Sequence, residues 1–308
     1  MKNTNSIFLS LTTKCNIRCG KCWRFDVFGN GKDISNKVLN KFMELFSDYK
    51  GKVIIGSGEN LVSKSIEEYI NWSVKNQIKT TILTNGLIFD KFIDKPNFFD
   101  KSITWGLTMD GFINDEIKKL QIGMDVERVK QNIITIKNKY PTASFYLNIT
   151  HTKNNLDSTL DFINFAHKIN IDQVYITQLK LFEGLDDSIT KDQVNDIESS
   201  RFLKVMNDAE ILAKQLNIKF FAPLKSQQRD CFNNITTLSP IIHGNGNIIF
   251  CYGRDGKAIG NILTDEEAWR KHLNYLLQSD IKREEWCSKC DITECSDRGY
   301  YYIPGQKK

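Results

Sequence analysis

Short apolar runs alternate with amphipathic stretches through the first two thirds of the chain. The runs read as strands at Ile7–Thr12, Lys52–Gly56, Thr80–Leu83, Ile103–Leu107, Ser144–Ile149 and Val174–Thr177. Between them, apolar residues recur at helical spacing. Val38, Phe42, Leu45 and Phe46 share a face after Asp33, a candidate cap. Ile66, Tyr69, Ile70 and Val74 follow Ser63; Val126, Val129, Ile133 and Ile136 follow Asp125; Leu156, Leu160 and Ile163 follow Asn155. Strand–helix alternation predicts a parallel sheet with right-handed crossovers. The six units run to about 30 residues or more each, the length such a unit needs. A complete eight-unit barrel takes about 250 residues, so the expected fold is α/β: a partial (β/α)6 TIM-like barrel over residues 1–218.

The grammar then changes. A helical stretch spans roughly 191–216, and Ile241-Ile242 and Ile248-Ile249-Phe250 flank Gly244-Asn245-Gly246-Asn247, a hairpin signal. A helix from about Glu266 to Leu277 is followed by a cysteine-rich tail without periodicity. Residues 219–308 are therefore expected to form a small domain, wrapped around a metal site because it has little apolar sequence of its own.

The chain has 308 residues, enough to bury a substantial core, and 41% hydrophobic and 26% charged residues argue against disorder. The net charge of +5 arises from 42 basic and 37 acidic side chains scattered without blocks, a solvated surface rather than a nucleic-acid footprint. Ile7-Phe8-Leu9 is far too short for a signal peptide or a membrane span. A cytoplasmic protein is expected, with neither nucleic acid nor membrane as partner.

Cysteine placement changes the picture most. The eight cysteines fall at 15, 19 and 22 and then, after about two hundred residues, at 231, 251, 287, 290 and 295. A reducing compartment disfavours disulfides, and clustering at short spacing is what convergence on a metal demands. Cys15, Cys19 and Cys22 lie directly after the first strand. Three thiolates there can hold three irons of a 4Fe–4S cube and leave the fourth open, the mark of a reactive site. The alternative is a zinc site completed from elsewhere.

The Cys-x3-Cys-x2-Cys spacing resembles the motif of the radical S-adenosylmethionine superfamily, in which the amino and carboxylate groups of S-adenosylmethionine occupy the open iron. Polar residues and glycines stand at one end of each expected strand, where barrel chemistry gathers. They are Gly58, Glu59 and Asn60 after the second, Thr84 and Asn85 after the third, and Thr108 and Asp110 in the Thr108-Met109-Asp110-Gly111 run after the fourth. Asn148 and Thr150 end the fifth strand, and Gln178 and Lys180 the sixth. Each alone reads as an ordinary turn. In register with a cysteine loop they resemble the family's cofactor-binding elements: a Gly-Glu-Pro-like run that holds the methionine amino group, and a Ser-x-Asp-Gly-like run near the nucleoside and carboxylate. The chain departs from the pattern twice. Asn60 replaces the usual proline, and Lys21 stands where an apolar or aromatic residue precedes the third cysteine. Trp23 follows that cysteine, placed to stack near the adenine, to shield the cluster or to fill core.

The C-terminal cysteines, the hairpin and Gly260-Asn261-Ile262 resemble the auxiliary-cluster region of the SPASM and Twitch subgroups. Five cysteines remain after the first three, and one fully cysteine-ligated cube uses four, so two such auxiliary clusters are excluded. The Twitch arrangement takes Cys231, Cys251, Cys287 and Cys290. Cys295 is then an alternate ligand, a hydrogen donor or a bystander; a structural zinc site is the competing reading, since Cys-x2-Cys pairs are common zinc ligands. His243, on the hairpin turn, reads as a surface residue or an added ligand.

The resemblance implies one catalytic and one auxiliary 4Fe–4S cluster, S-adenosylmethionine as co-substrate, and a one-electron donor such as flavodoxin or ferredoxin. It implies an oxidoreductase-type radical enzyme that abstracts a substrate hydrogen. The substrate expected first is a peptide side chain, as in ribosomal peptide maturation. With no leader-binding domain seen before the first strand, two-electron oxidation of a sugar or aminocyclitol alcohol is a close rival. A non-catalytic zinc or iron–sulfur scaffold is the reading from another class.

Overall fold

The computed structural model describes residues 6–22, 31–118, 120–179, 181, 187, 189–222, 240–249, 258, 260–265 and 267–268. Packing divides them into two compact units. The first contains the described residues up to Cys15, those between 31 and 82, and those from 240 onward; the second contains 16–22 and 83–222.

In the first unit, β1 (Ser6–Thr12) pairs in parallel with β2 (Lys52–Ser57), and β2 with the first four residues of β3 (Lys79–Thr84), whose last two fall in the second unit. Alternation in β1 puts Ile7, Leu9 and Leu11 on a face with no exposed surface, as it does Val53 and Ile55 in β2. Helix α1 (Asn36–Leu45) buries Val38, Leu39 and Phe42, and α2 (Ile66–Lys75) buries Ile66, Tyr69, Ile70 and Ser73. Phe42 meets Phe46 at 4.6 Å and Trp72 at 6.1 Å. The cap of α1 is Ser35, whose hydroxyl accepts from Val38 N, rather than Asp33, whose carboxylate is taken by Lys14 at 2.6 Å.

The expected hairpin forms: β8 (Ile241–Ile242) pairs antiparallel with β9 (Asn247–Ile249), and β9 with β10 (Gly260–Asn261). Gly246, at φ +88°, closes the turn. Asn261 braces it, donating its amide to Asn247 Oδ1 at 2.8 Å and accepting from Leu263 N at 2.9 Å. Half-buried His243 contributes its backbone to the hairpin, and burial lowers its pKa. Unforeseen was the parallel pairing of β8 with β1, which extends this unit's sheet by main-chain bonds that two isoleucines do not announce.

The second unit is built on β4 (Ile103–Thr108), β5 (Ser144–His151), β6 (Gln173–Gln178) and β7 (Lys219–Phe221), each parallel to the next. The three-residue β7 is too short to show a period, and it starts at the first residue of the expected C-terminal segment. Trp105, Leu107, Leu147, Ile149, Val174 and Ile176 are fully buried on one face. Helices α3 (Asn114–Ile117), α4 (Val126–Lys139), α5 (Thr159–Lys168) and α6 (Ser200–Gln215) connect the strands. Asp125 caps α4 as expected, accepting from Arg128 N at 3.2 Å. Asn155 does not cap α5; Ser158 holds that position. No helix among the described residues is long and apolar enough to cross a membrane.

Candidate functional site

The cysteine segment follows β1 and divides between the units, with Cys15 in the first and Asn16–Cys22 in the second. All three cysteines are half-buried thiols. Trp23, Lys180, Cys231, Cys251, Cys287, Cys290 and Cys295 lie outside the described residues. Among the described residues, no three His, Cys, Asp or Glu side chains are gathered as ligands of a single metal ion.

In the first unit, β2 ends at Ser57, at φ +95°, a conformation side chains rarely adopt. That turn directs Gly58 N to Thr12 O at 2.9 Å and Glu59 N to Lys14 O at 2.8 Å. The backbone after β2 thereby braces the three residues that precede Cys15. A Cβ on Gly58 would lie 2.2 Å from Lys14 O, so only glycine permits this approach. Glu59 and Asn60 are almost wholly buried, and Glu59 Oε1 accepts from Leu61 N at 3.0 Å. A carboxylate capping its own loop stiffens the turn, which compensates for the absent proline.

In the second unit, the segment from Asn16 to Cys22 is fastened at four places. Asn85 donates its side-chain amide to Asn16 Oδ1 at 2.7 Å. Arg18 exchanges both backbone bonds with Ile122, at 3.0 and 2.7 Å, and Gly20 N donates to Leu120 O at 3.2 Å. Lys21 Nζ lies 2.5 Å from Asp110 Oδ2 and also donates to Thr150 Oγ1. Cys22 N donates to Cys19 O at 3.1 Å, making Cys19–Cys22 one tight turn. Asn85 is itself held in the Thr84-Asn85-Gly86 turn, where Gly86 N donates to Thr84 Oγ1 at 3.0 Å and Leu87 N to Asn85 Oδ1 at 3.0 Å.

Asp110 is fully buried and committed to the protein. Its Oδ1 accepts from Thr150 N at 2.8 Å and its Oδ2 faces Lys21. Gln121 Oε1 accepts from its backbone N at 2.9 Å, and Asn155 donates to its carbonyl at 2.5 Å. Thr108 and Asn148 are register partners, and Thr150 lies two residues beyond Asn148, so the three share a face. Thr177 pairs with Thr150 and donates to its hydroxyl at 3.4 Å. Gln178 instead pairs with His151, which puts it on the opposite face, with its amide atoms buried and unbonded. Thr177, Gln121 and Asn155 were missed by sequence reasoning. Strand alternation counted from Thr150 finds Thr177; nothing local signals the other two.

His151 is buried, and burial lowers its pKa to about 3. Thr159 Oγ1 donates to Leu156 O at 2.5 Å, so His151 Nε2, 3.0 Å away, is the donor to Thr159. Its Nδ1 has no hydrogen-bond partner, and a proton added there would meet no acceptor.

The donor chemistry fits an iron–sulfur cluster: Cys15, Cys19 and Cys22 are three soft sulfur donors on one short segment. The Radical SAM superfamily profile matches residues 9–177, more than half the chain. A GTP 3',8-cyclase of Clostridium perfringens is 28% identical over 248 residues, covering 73% of each chain. Molybdenum cofactor biosynthesis protein moc-5 of Caenorhabditis elegans is 26% identical over 184 residues, 57% of this chain and 30% of that one. This chain spans less than half the length of several such curated relatives. Among solved structures, Streptococcus suis SuiB bound to S-adenosylmethionine superposes with a TM-score of 0.71 at 16% identity, covering 95% of this chain and 72% of that one. SuiB bound to precursor peptide SuiA gives 0.69 at 16% identity, covering 94% and 70%. These likenesses establish an α/β fold with a parallel sheet, consistent with the partial barrel of that superfamily.

Proposed function

Because this chain belongs to the radical SAM superfamily, we propose that it is an enzyme whose Cys15, Cys19 and Cys22 hold a 4Fe–4S cluster with one iron left open for S-adenosylmethionine. The observation that carries this reading is the Cys-x3-Cys-x2-Cys segment directly after β1, inside the matched span. When bound, the cluster supplies one electron that cleaves the sulfonium to methionine and a 5′-deoxyadenosyl radical, which takes a hydrogen atom from substrate.

The chain's own residues supply position. Gly58 and Glu59 brace the approach to Cys15 through the carbonyls of Thr12 and Lys14. Asn85 and Lys21 fasten the rest of the segment. With both Asp110 oxygens engaged, Thr108, Asn148, Thr150 and Thr177 are the polar groups that their shared face offers to the co-substrate. A face of hydroxyls and amides orients a nucleoside without adding charge.

For the substrate, we favour a peptide side chain, on the strength of the C-terminal cysteine pattern. In that reading Cys231, Cys251, Cys287 and Cys290 hold an auxiliary cluster, with Cys295 left over. GTP is a second reading, favoured by the names of curated relatives. Anaerobic reconstitution with iron and sulfide, followed by dithionite and S-adenosylmethionine, tests the reaction: 5′-deoxyadenosine forms, and is lost in Cys15→Ala, Cys19→Ala and Cys22→Ala. Deuterated GTP passes its label into 5′-deoxyadenosine under the second reading alone.

A further inference from the structure

Lys21 stands immediately before the third cysteine of the segment, and its side chain is only 14% exposed. Its ammonium lies 2.5 Å from the fully buried Asp110 carboxylate and donates to Thr150 Oγ1. Asp110 is tied to both strand ends, through Thr150 N at 2.8 Å and through Gln121, which itself donates to Thr108 O at 3.2 Å. It cannot follow a moving lysine. A buried carboxylate needs a paired cation, and the attraction is strong because little water screens it, although Asp110 Oδ2 meets Lys21 as an ion pair without hydrogen-bond geometry. The same stretch is docked on Leu120 and Ile122 through the backbone of Gly20 and Arg18. The backbone bond from Gly20 anchors the first half of the Cys19–Cys22 turn. The Lys21 side chain adds a second fastening, between Gly20 and Cys22.

We infer that Lys21 is a positioning residue whose buried ion pair with Asp110, seconded by Thr150, locks the Cys19–Cys22 turn onto the ends of β4 and β5 and so sets how those two thiolates are presented to iron. The inference rests on the cluster reading above. Charge here does what packing of an apolar side chain would otherwise do. The device also withdraws the Asp110 carboxylate from the co-substrate.

The test compares the reconstituted full chain with Lys21→Met, Lys21→Arg, Asp110→Asn and the Lys21→Met/Asp110→Asn pair. Three readouts apply: iron loss to a chelator, the paramagnetic resonance line shape of the reduced cluster, and the melting temperature of the metal-free protein. Removing a group that orients a metal ligand costs about 10–100-fold in metal affinity, so Lys21→Met should lose iron about tenfold faster and broaden the line shape. Lys21→Arg should recover most of both. The double variant leaves no charge unpaired, so it should melt near the unaltered protein yet still lose iron fast. Iron retention and line shape unchanged in Lys21→Met, or fully restored in the double variant, would overturn the inference by reducing Lys21 to a counter-charge for Asp110. An unaltered protein that takes up no cluster defeats the cluster reading first, and this inference with it.

Discussion

Asn85, at the end of β3, donates its side-chain amide to Asn16 Oδ1 at 2.7 Å across 69 positions of sequence. Asn16 is the residue after the first cysteine, so this bond fixes the start of the Asn16–Cys22 stretch. Asn85→Ala removes the donor of this long-range bond. The expected cost is about 1 kcal/mol of stability, with lower iron uptake on reconstitution. Iron per chain measured beside the melting temperature checks both; full iron uptake would show that Asn85 does not position the segment.

Gly58 permits the approach of the β2 end to Lys14, whose carbonyl would lie 2.2 Å from a Cβ. Gly58→Ala must push that backbone away, at a cost of about 1–3 kcal/mol from overpacking alone. Binding of S-adenosylmethionine, followed by equilibrium dialysis, should weaken more than stability does. Unchanged binding would show that the turn plays no part in the site.

Ser57 holds φ at +95°, and its buried hydroxyl has no hydrogen-bond partner. Both features cost free energy that glycine avoids. Ser57→Gly should therefore stabilise the protein by about 1 kcal/mol in urea unfolding. Destabilisation would mean the hydroxyl has a role that geometry does not show.

His151 is neutral in the fold, with its pKa lowered by burial from 6.5 to about 3. Between those values the unfolded chain binds a proton that the folded chain does not. Stability from this group is complete above pH 6.5 and falls as pH drops toward 3. From pH 7 to pH 5 the loss is about 2 kcal/mol, at roughly 1.4 kcal/mol per pH unit below the unfolded pKa. Unfolding of His151→Phe at both pH values should show a difference smaller by about that amount. An identical pH dependence would contradict the burial argument.

The strands were legible because both periods were clean: Ile7, Leu9 and Leu11 alternate, and Val129, Ile133 and Ile136 recur at helical spacing. Cap assignments failed where a better-placed competitor stood nearby. Asp33 lost its position to Ser35 because Lys14 claims its carboxylate. The site was legible as strand ends, not as faces. Thr150 and Gln178 both stand at strand ends, but register places Gln178 beside His151 and sets Thr177 beside Thr150. Lys21 departs from the family pattern, and sequence offers no hint that Asp110, far along the chain, receives it. Long-range pairing of single polar residues has no period to betray it.

The proposed iron–sulfur cluster on Cys15, Cys19 and Cys22 has one exchangeable corner. Paramagnetic resonance of the dithionite-reduced protein, with the five C-terminal cysteines replaced by alanine so that only this cluster remains, tests it directly. A 4Fe–4S signal should appear, with g-values that shift when S-adenosylmethionine is added. Zinc at these three thiolates, or a signal indifferent to S-adenosylmethionine, would contradict it.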